Sequence, residues 1–203
     1  GLADSVDLSA FGIFMTFLAR LGTIELAASQ VANQLNDIAF MPSFAIGMAT
    51  SSLVGRSLGE GSTDKAEKRG LAGLRVGALL MGTLAICYWL FPGVFIMPFT
   101  SDPEVSMLAR KILRIVAVYQ LVDVIRIVFC GSLNGAGETR FTGLTTLFSA
   151  CIIFIPATYI GAFTLGFGVW GAWAGPMTHA VLLMVIFGAR FRNGKWKKAY
   201  VIK

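Results

Sequence analysis

The stretch Ile112–Cys130, ILRIVAVYQLVDVIRIVFC, decides how this chain is read. It is apolar over about the 20 residues that a helix needs to span a hydrocarbon core. Asp123 lies near its middle, with Tyr119 one turn before it and Arg126 three residues after it. A carboxylate at that depth in a bilayer costs at least ~2.5 kcal/mol, so it is normally turned inward and normally functional. A buried acid in a membrane helix is most simply a group that handles cations or protons.

Outward from this stretch the chain keeps the same character. Of its 203 residues 56% are hydrophobic and only 14% charged, with a mean hydropathy of +0.73. Soluble domains carry roughly 25% charged residues. Candidate spans fall at 6–22, 30–54, 71–98, 108–132, 142–165 and 169–189. The alternation of apolar and polar residues that marks a membrane barrel is absent. The expected fold is therefore an all-α integral membrane protein: a six-helix transmembrane bundle over residues 1–190, then a basic cytoplasmic tail over 191–203. The chain starts at Gly1, and its first span opens on Asp4, Ser5 and Asp7, which reads as a piece of a longer protein.

The net charge of +6 is unevenly spread. Arg56, Lys65, Lys68 and Arg69 follow the second span, Arg140 follows the fourth, and Arg190, Arg192, Lys195, Lys197, Lys198 and Lys203 close the chain. With six spans these groups share one side, which the positive-inside rule makes cytoplasmic; both chain ends then face the cytoplasm of a cell-membrane protein. Arg110, Lys111 and Arg114 dissent from the outer side. Basic groups so close to a membrane read as contacts to lipid headgroups, not to nucleic acid.

Several chemistries are excluded. Gly135-Ala136-Gly137 follows a membrane span and lacks the third glycine and the lysine of phosphate-binding loops. Cys87, Cys130 and Cys151 show neither metal-ligand spacing nor a disulfide framework. Asp123 has no second carboxylate beside it in a catalytic motif, and His179 reads as a helix-packing residue, so no enzyme and no resident cofactor is expected.

The second span adds a polar face. Gln30, Asn33, Gln34 and Asp37 recur at spacings of three and four, and should line a cavity or a neighbouring helix instead of lipid. Gln120, beside Tyr119, is a further cavity candidate. Pro42, after this face, and Pro156, in the fifth span, are expected to kink their helices. Ser62, Thr63 or Asp64 should cap the third helical stretch, and Ser101 or Asp102 the fourth.

Three local patterns together resemble the multidrug and toxic compound extrusion (MATE) transporters. One is Phe40-Met41-Pro42 followed by Gly47, Ala49 and Ser52-Leu53-Val54-Gly55-Arg56-Ser57-Leu58-Gly59-Glu60-Gly61. Another is Gly131-Ser132-Leu133-Asn134-Gly135-Ala136-Gly137-Glu138-Thr139-Arg140, in which Asn134 and Glu138 stand where the family usually has arginine and aspartate. The third is Leu21-Gly22-Thr23 with Leu26-Ala27-Ala28 and Gln30. The resemblance is to the C-terminal half of such a transporter, its helices seven to twelve, in the NorM-like branch. It implies a missing N-terminal six-helix lobe as partner, on the parallel-repeat plan. It also implies that Asp7 and Asp123 face one cavity and, with Tyr119, couple transport to sodium or protons. Sodium, if used, would be held by Asp7 and Asp123. The implied activity is antiport that exports amphipathic organic cations. A flippase for lipid-linked intermediates and a non-transporting membrane scaffold are the alternatives. An Asp123–Arg126 pair that only neutralises a buried charge is the rival use of the site.

Overall fold

The computed structural model describes the backbone of residues 2–197 and the side chains of residues 10–197. The long helices fall where the apolar runs place them: α1 (Leu2–Leu21), α2 (Thr23–Gly59), α3 (Thr63–Leu90), α5 (Pro103–Gly135) and α8 (Gly168–Arg192). A short α4 (Pro92–Ile96) follows the C-terminal end of α3. The fifth span is assembled from α6 (Thr139–Ser149), a π-helical turn Ala150–Phe154, α7 (Ile155–Tyr159) and a second π-helical turn Ile160–Thr164. Four stretches are long and apolar enough by themselves to cross a membrane: Thr23–Gly59, Thr63–Leu90, Thr139–Thr164 and Gly168–Arg192. The chain is an all-α membrane bundle, without a strand among the described residues.

The helix ends follow local chemistry. Ser62 Oγ accepts from Lys65 N at 3.4 Å, and Asp102 Oδ1 accepts from Glu104 N at 2.8 Å and Val105 N at 3.2 Å. These side chains satisfy amide donors that the first turn leaves open. The stretch Asp64–Arg69 forms the first turns of α3. The two glycine turns share one geometry. After α2, Gly61 N donates to Leu58 O and Ser62 N to Ser57 O; after α5, Gly137 N donates to Asn134 O and Glu138 N to Leu133 O. Gly61 and Gly137 have φ of 75° and 86°, the left-handed conformation that this terminating motif requires.

α5 lies at the centre, packed on α2, α3 and α8. Its approach to α2 is backbone to backbone. A Cβ on Gly131 would collide with the carbonyl of Gly47, and one on Gly135 with the carbonyl of Ser51. The fifth span meets α8 in the same manner, Gly161 against Gly171 and Gly175 against Thr158. Lipid offers no hydrophobic drive between helices, so such close contact supplies the attraction.

The two prolines act differently. α2 runs unbroken through Pro42. Pro156 stands between the two π-helical turns, so the irregularity expected there takes the form of widened turns on either side of α7. Beyond α8 the chain stays packed on the bundle. Trp196 is fully buried, stacked on Phe191 with ring centroids 5.2 Å apart, and donates to Phe191 O at 2.7 Å. Lys197 pairs with Glu67 of α3.

Candidate coupling site

Asp123 is 6% exposed, on the inner side of α5. Its Oδ1 accepts a hydrogen bond from Arg126 Nε at 2.7 Å. Three residues of helix carry the two side chains one above the other, so local geometry alone brings them together. Tyr119, one turn earlier on α5, lies within electrostatic reach of Arg126. From α8, His179 is close enough to feel the charges of both Arg126 and Asp123. Its Nδ1 is 2.9 Å from Ser149 Oγ, the last residue of α6 before the π-helical turn. The site is thus a polar core between α5, α8 and the end of α6. Breaking a buried pair by removing one partner costs about 3–5 kcal/mol, because the other charge is stranded.

A second polar layer joins α2 to its neighbours. Trp173 Nε1 donates to Ser29 Oγ at 3.3 Å, and Asn33 Nδ2 to Met15 Sδ at 3.8 Å. Gln120 Nε2 donates to Asn36 Oδ1 at 3.3 Å, and Tyr88 Oη to Leu35 O at 3.0 Å. The polar residues of α2 therefore divide into two stripes. Ser29, Asn33 and Asn36 point into the bundle, while Gln30, Gln34 and Asp37 lie exposed on the flank. The single face expected from Gln30, Asn33, Gln34 and Asp37 straddles both, since adjacent residues such as Asn33 and Gln34 are about 100° apart around a helix. Asn36 and Ser149 were missed. Asn36 was findable, being three residues from Asn33 on the stripe that Ser29 begins.

Asp7 belongs to α1, but its side chain lies outside the described residues. Among the described residues no group of three or more His, Cys, Asp and Glu side chains is placed to hold a metal ion. The only carboxylate facing Arg126 there is Asp123, and the guanidinium engages it.

The second glycine turn holds another buried acid. Glu138, 7% exposed, accepts from Arg190 Nε at 2.8 Å and Nη2 at 2.7 Å, and the same guanidinium lies 4.9 Å from the Phe141 ring centroid. This forked pair fastens the α5–α6 turn to the end of α8.

A spanning bundle with an acid inside its central helix, and two glycine turns of one geometry, can be set beside known proteins. The MatE family model matches residues 6–160. The chain belongs to the MatE family. It is 32% identical over 191 residues to a probable multidrug resistance protein NorM of Pasteurella multocida, covering 92% of this chain and 41% of that protein. It is 29% identical over 197 residues to multidrug and toxin extrusion protein 2 of Oryctolagus cuniculus, covering 96% of this chain and 32% of that one. Among solved structures, a MATE protein in its bent conformation superposes with a TM-score of 0.88 at 18% identity, covering 98% of this chain and 45% of that one. An inward-facing MATE transporter superposes with a TM-score of 0.81 at 19% identity. At such identities the likeness is one of fold. The MatE chain spans about two fifths of the length of the NorM relative, the share of one half of a MATE transporter. These relatives are transporters, not enzymes.

Proposed function

We propose that this chain is the C-terminal lobe of a cation-coupled antiporter that exports amphipathic organic cations from the cell. The observation that carries the reading is Asp123, a carboxylate enclosed in the central membrane helix of a MatE-family bundle. A carboxylate there can be neutralised by a proton, by sodium or by a cationic drug. Ligands that neutralise one acid compete for it, and competition between two access states gives antiport. The driving force suffices: one charge moving down 100 mV supplies about 2.3 kcal/mol, before any concentration gradient.

The open stripe of α2 supports the same substrate class. Gln30, Gln34 and Asp37 are exposed beside the apolar Met41, Phe44 and Met48. The combination is neutral to acidic and greasy, which suits a lipophilic cation better than the phosphates of a lipid-linked precursor. In this reading the stripe lines the cavity that the N-terminal lobe closes, and Asp7 joins Asp123 from α1. The transporter resides in the cell membrane with both ends of this lobe cytoplasmic.

The test is Asp123→Asn in the full-length transporter. Ion-driven efflux of a cationic dye should disappear while detergent-solubilised protein remains folded and monodisperse. Efflux at the normal rate, with only thermal stability lowered, would reduce Asp123 to half of a structural ion pair.

A further inference from the structure

Arg126 is the charged group that the coupling reading leaves without a task. Its side chain is 16% exposed against 8% for Asp123, and its Nε lies 2.7 Å from the carboxylate. A guanidinium keeps its proton in proteins, so the pair cannot dissolve by proton loss from Arg126. An acid already matched by a permanent cation on its own helix offers no net charge to a second one. A cation from solution must therefore take the place of the guanidinium. The surroundings permit that exchange. Arg126 is the more exposed partner and has a long stem that can carry its head toward the nearer, cytoplasmic end of α5. Tyr119 lies one turn before Asp123 on α5, and from α8 His179, close enough to feel the charge of Arg126, is 2.9 Å from Ser149 Oγ.

We propose that Arg126 is a tethered counter-ion: it occupies Asp123 when no cation is bound and yields the carboxylate to an arriving sodium ion, proton or cationic drug. The inference rests on the reading of Asp123 as the coupling acid. It makes Arg126 the residue that sets apparent cation affinity. A site whose competent state is only a minor fraction binds more weakly in proportion to that fraction, so a tether engaged in about nine molecules of ten weakens binding roughly 10-fold.

The experiment uses the full-length transporter in detergent at one fixed pH, with two probes: sodium chloride, read by thermal shift, and tetraphenylphosphonium, read by equilibrium binding. Arg126→Gln should tighten the midpoint for at least one probe by about 10-fold or more. Arg126→Lys, which keeps a charge on a flexible stem, should stay close to the parent, and Asp123→Asn added to Arg126→Gln should erase the gain. Two outcomes overturn the proposal. One is that Arg126→Gln binds both probes no more tightly than the parent protein; the other is that it accumulates only in company with Asp123→Asn, which would show a carboxylate with no exchangeable cation. Failure of the coupling reading itself appears elsewhere, as undiminished efflux in Asp123→Asn alone.

Discussion

Glu138 and Arg190 show what one side chain can hold where α5 turns into α6. The acid is buried and both of its hydrogen bonds come from one guanidinium 52 residues away. Glu138→Gln keeps the shape but strands much of that charge. Because Arg190 is partly exposed, the cost should fall below the fully buried range, at about 2 kcal/mol. Reversible denaturation of the full-length protein in mixed micelles would measure it, and no loss would mean that solvent already screens the pair. Gly137→Ala is a cleaner case. A φ of 86° is open to glycine and costs other residues roughly 1–2 kcal/mol, so a loss of that size is expected from the same titration. The Asp123–Arg126 pair was legible in the sequence, since a spacing of three on a helix leaves few other arrangements. The Glu138–Arg190 pair was not. Nothing local links the two residues, and Glu138 read only as a stand-in for an aspartate in a motif.

Helix against helix, glycine spacing decides the contacts. Gly131 and Gly135 lie four apart on α5, and each faces a carbonyl of α2. Gly135→Val forces the two helices apart, and overpacking of this kind costs about 1–3 kcal/mol. Gly82 on α3 has open space where a Cβ would stand, so Gly82→Ala should cost nothing measurable. Melting temperatures of the two variants, compared side by side, separate packing from a general intolerance of side chains at glycine sites. The long helices were legible in the sequence but not their ends: α2 and α3 begin at Thr23 and Thr63, ahead of the apolar runs expected from 30 and 71, because apolarity marks the stretch inside a bilayer and not where its helix starts. Which stripe of α2 turns inward was less so. Asn33 and Gln34 are neighbours with equal polarity, and only the positions of Met15, Trp173 and Gln120 assign Asn33, Ser29 and Asn36 to the interior.

At the scale of the whole molecule, the bundle presents two unlike faces. Its open α2 stripe and the outer flank of α3 are both exposed, but their chemistry differs: Gln34 and Asp37 on one, Val76, Leu79 and Leu80 on the other. The proposed transporter turns the first, as a cavity face, to water and the second to lipid. Native Cys87, Cys130 and Cys151, none of which is in a disulfide, are first replaced. Gln34→Cys and Asp37→Cys should then react with a membrane-impermeant maleimide, with protection by excess cationic dye, while Leu79→Cys should stay unlabelled. Equal labelling at all of these positions would remove the cavity from this face.

The sequence by itself determined that the chain is helical and that it spans a membrane, and it singled out Asp123 as the group to test. Those properties follow from transfer energies and helical spacing, which each segment carries alone. Only the tertiary structure decided what surrounds the acid. It joined His179 of α8 to Ser149 of α6, and Glu138 to Arg190. It also split the polar face of α2 between a sealed interior and an open flank. Each of these depends on helices far apart in sequence, and it is their close backbone contacts, not any local preference, that bring the partners within hydrogen-bonding distance.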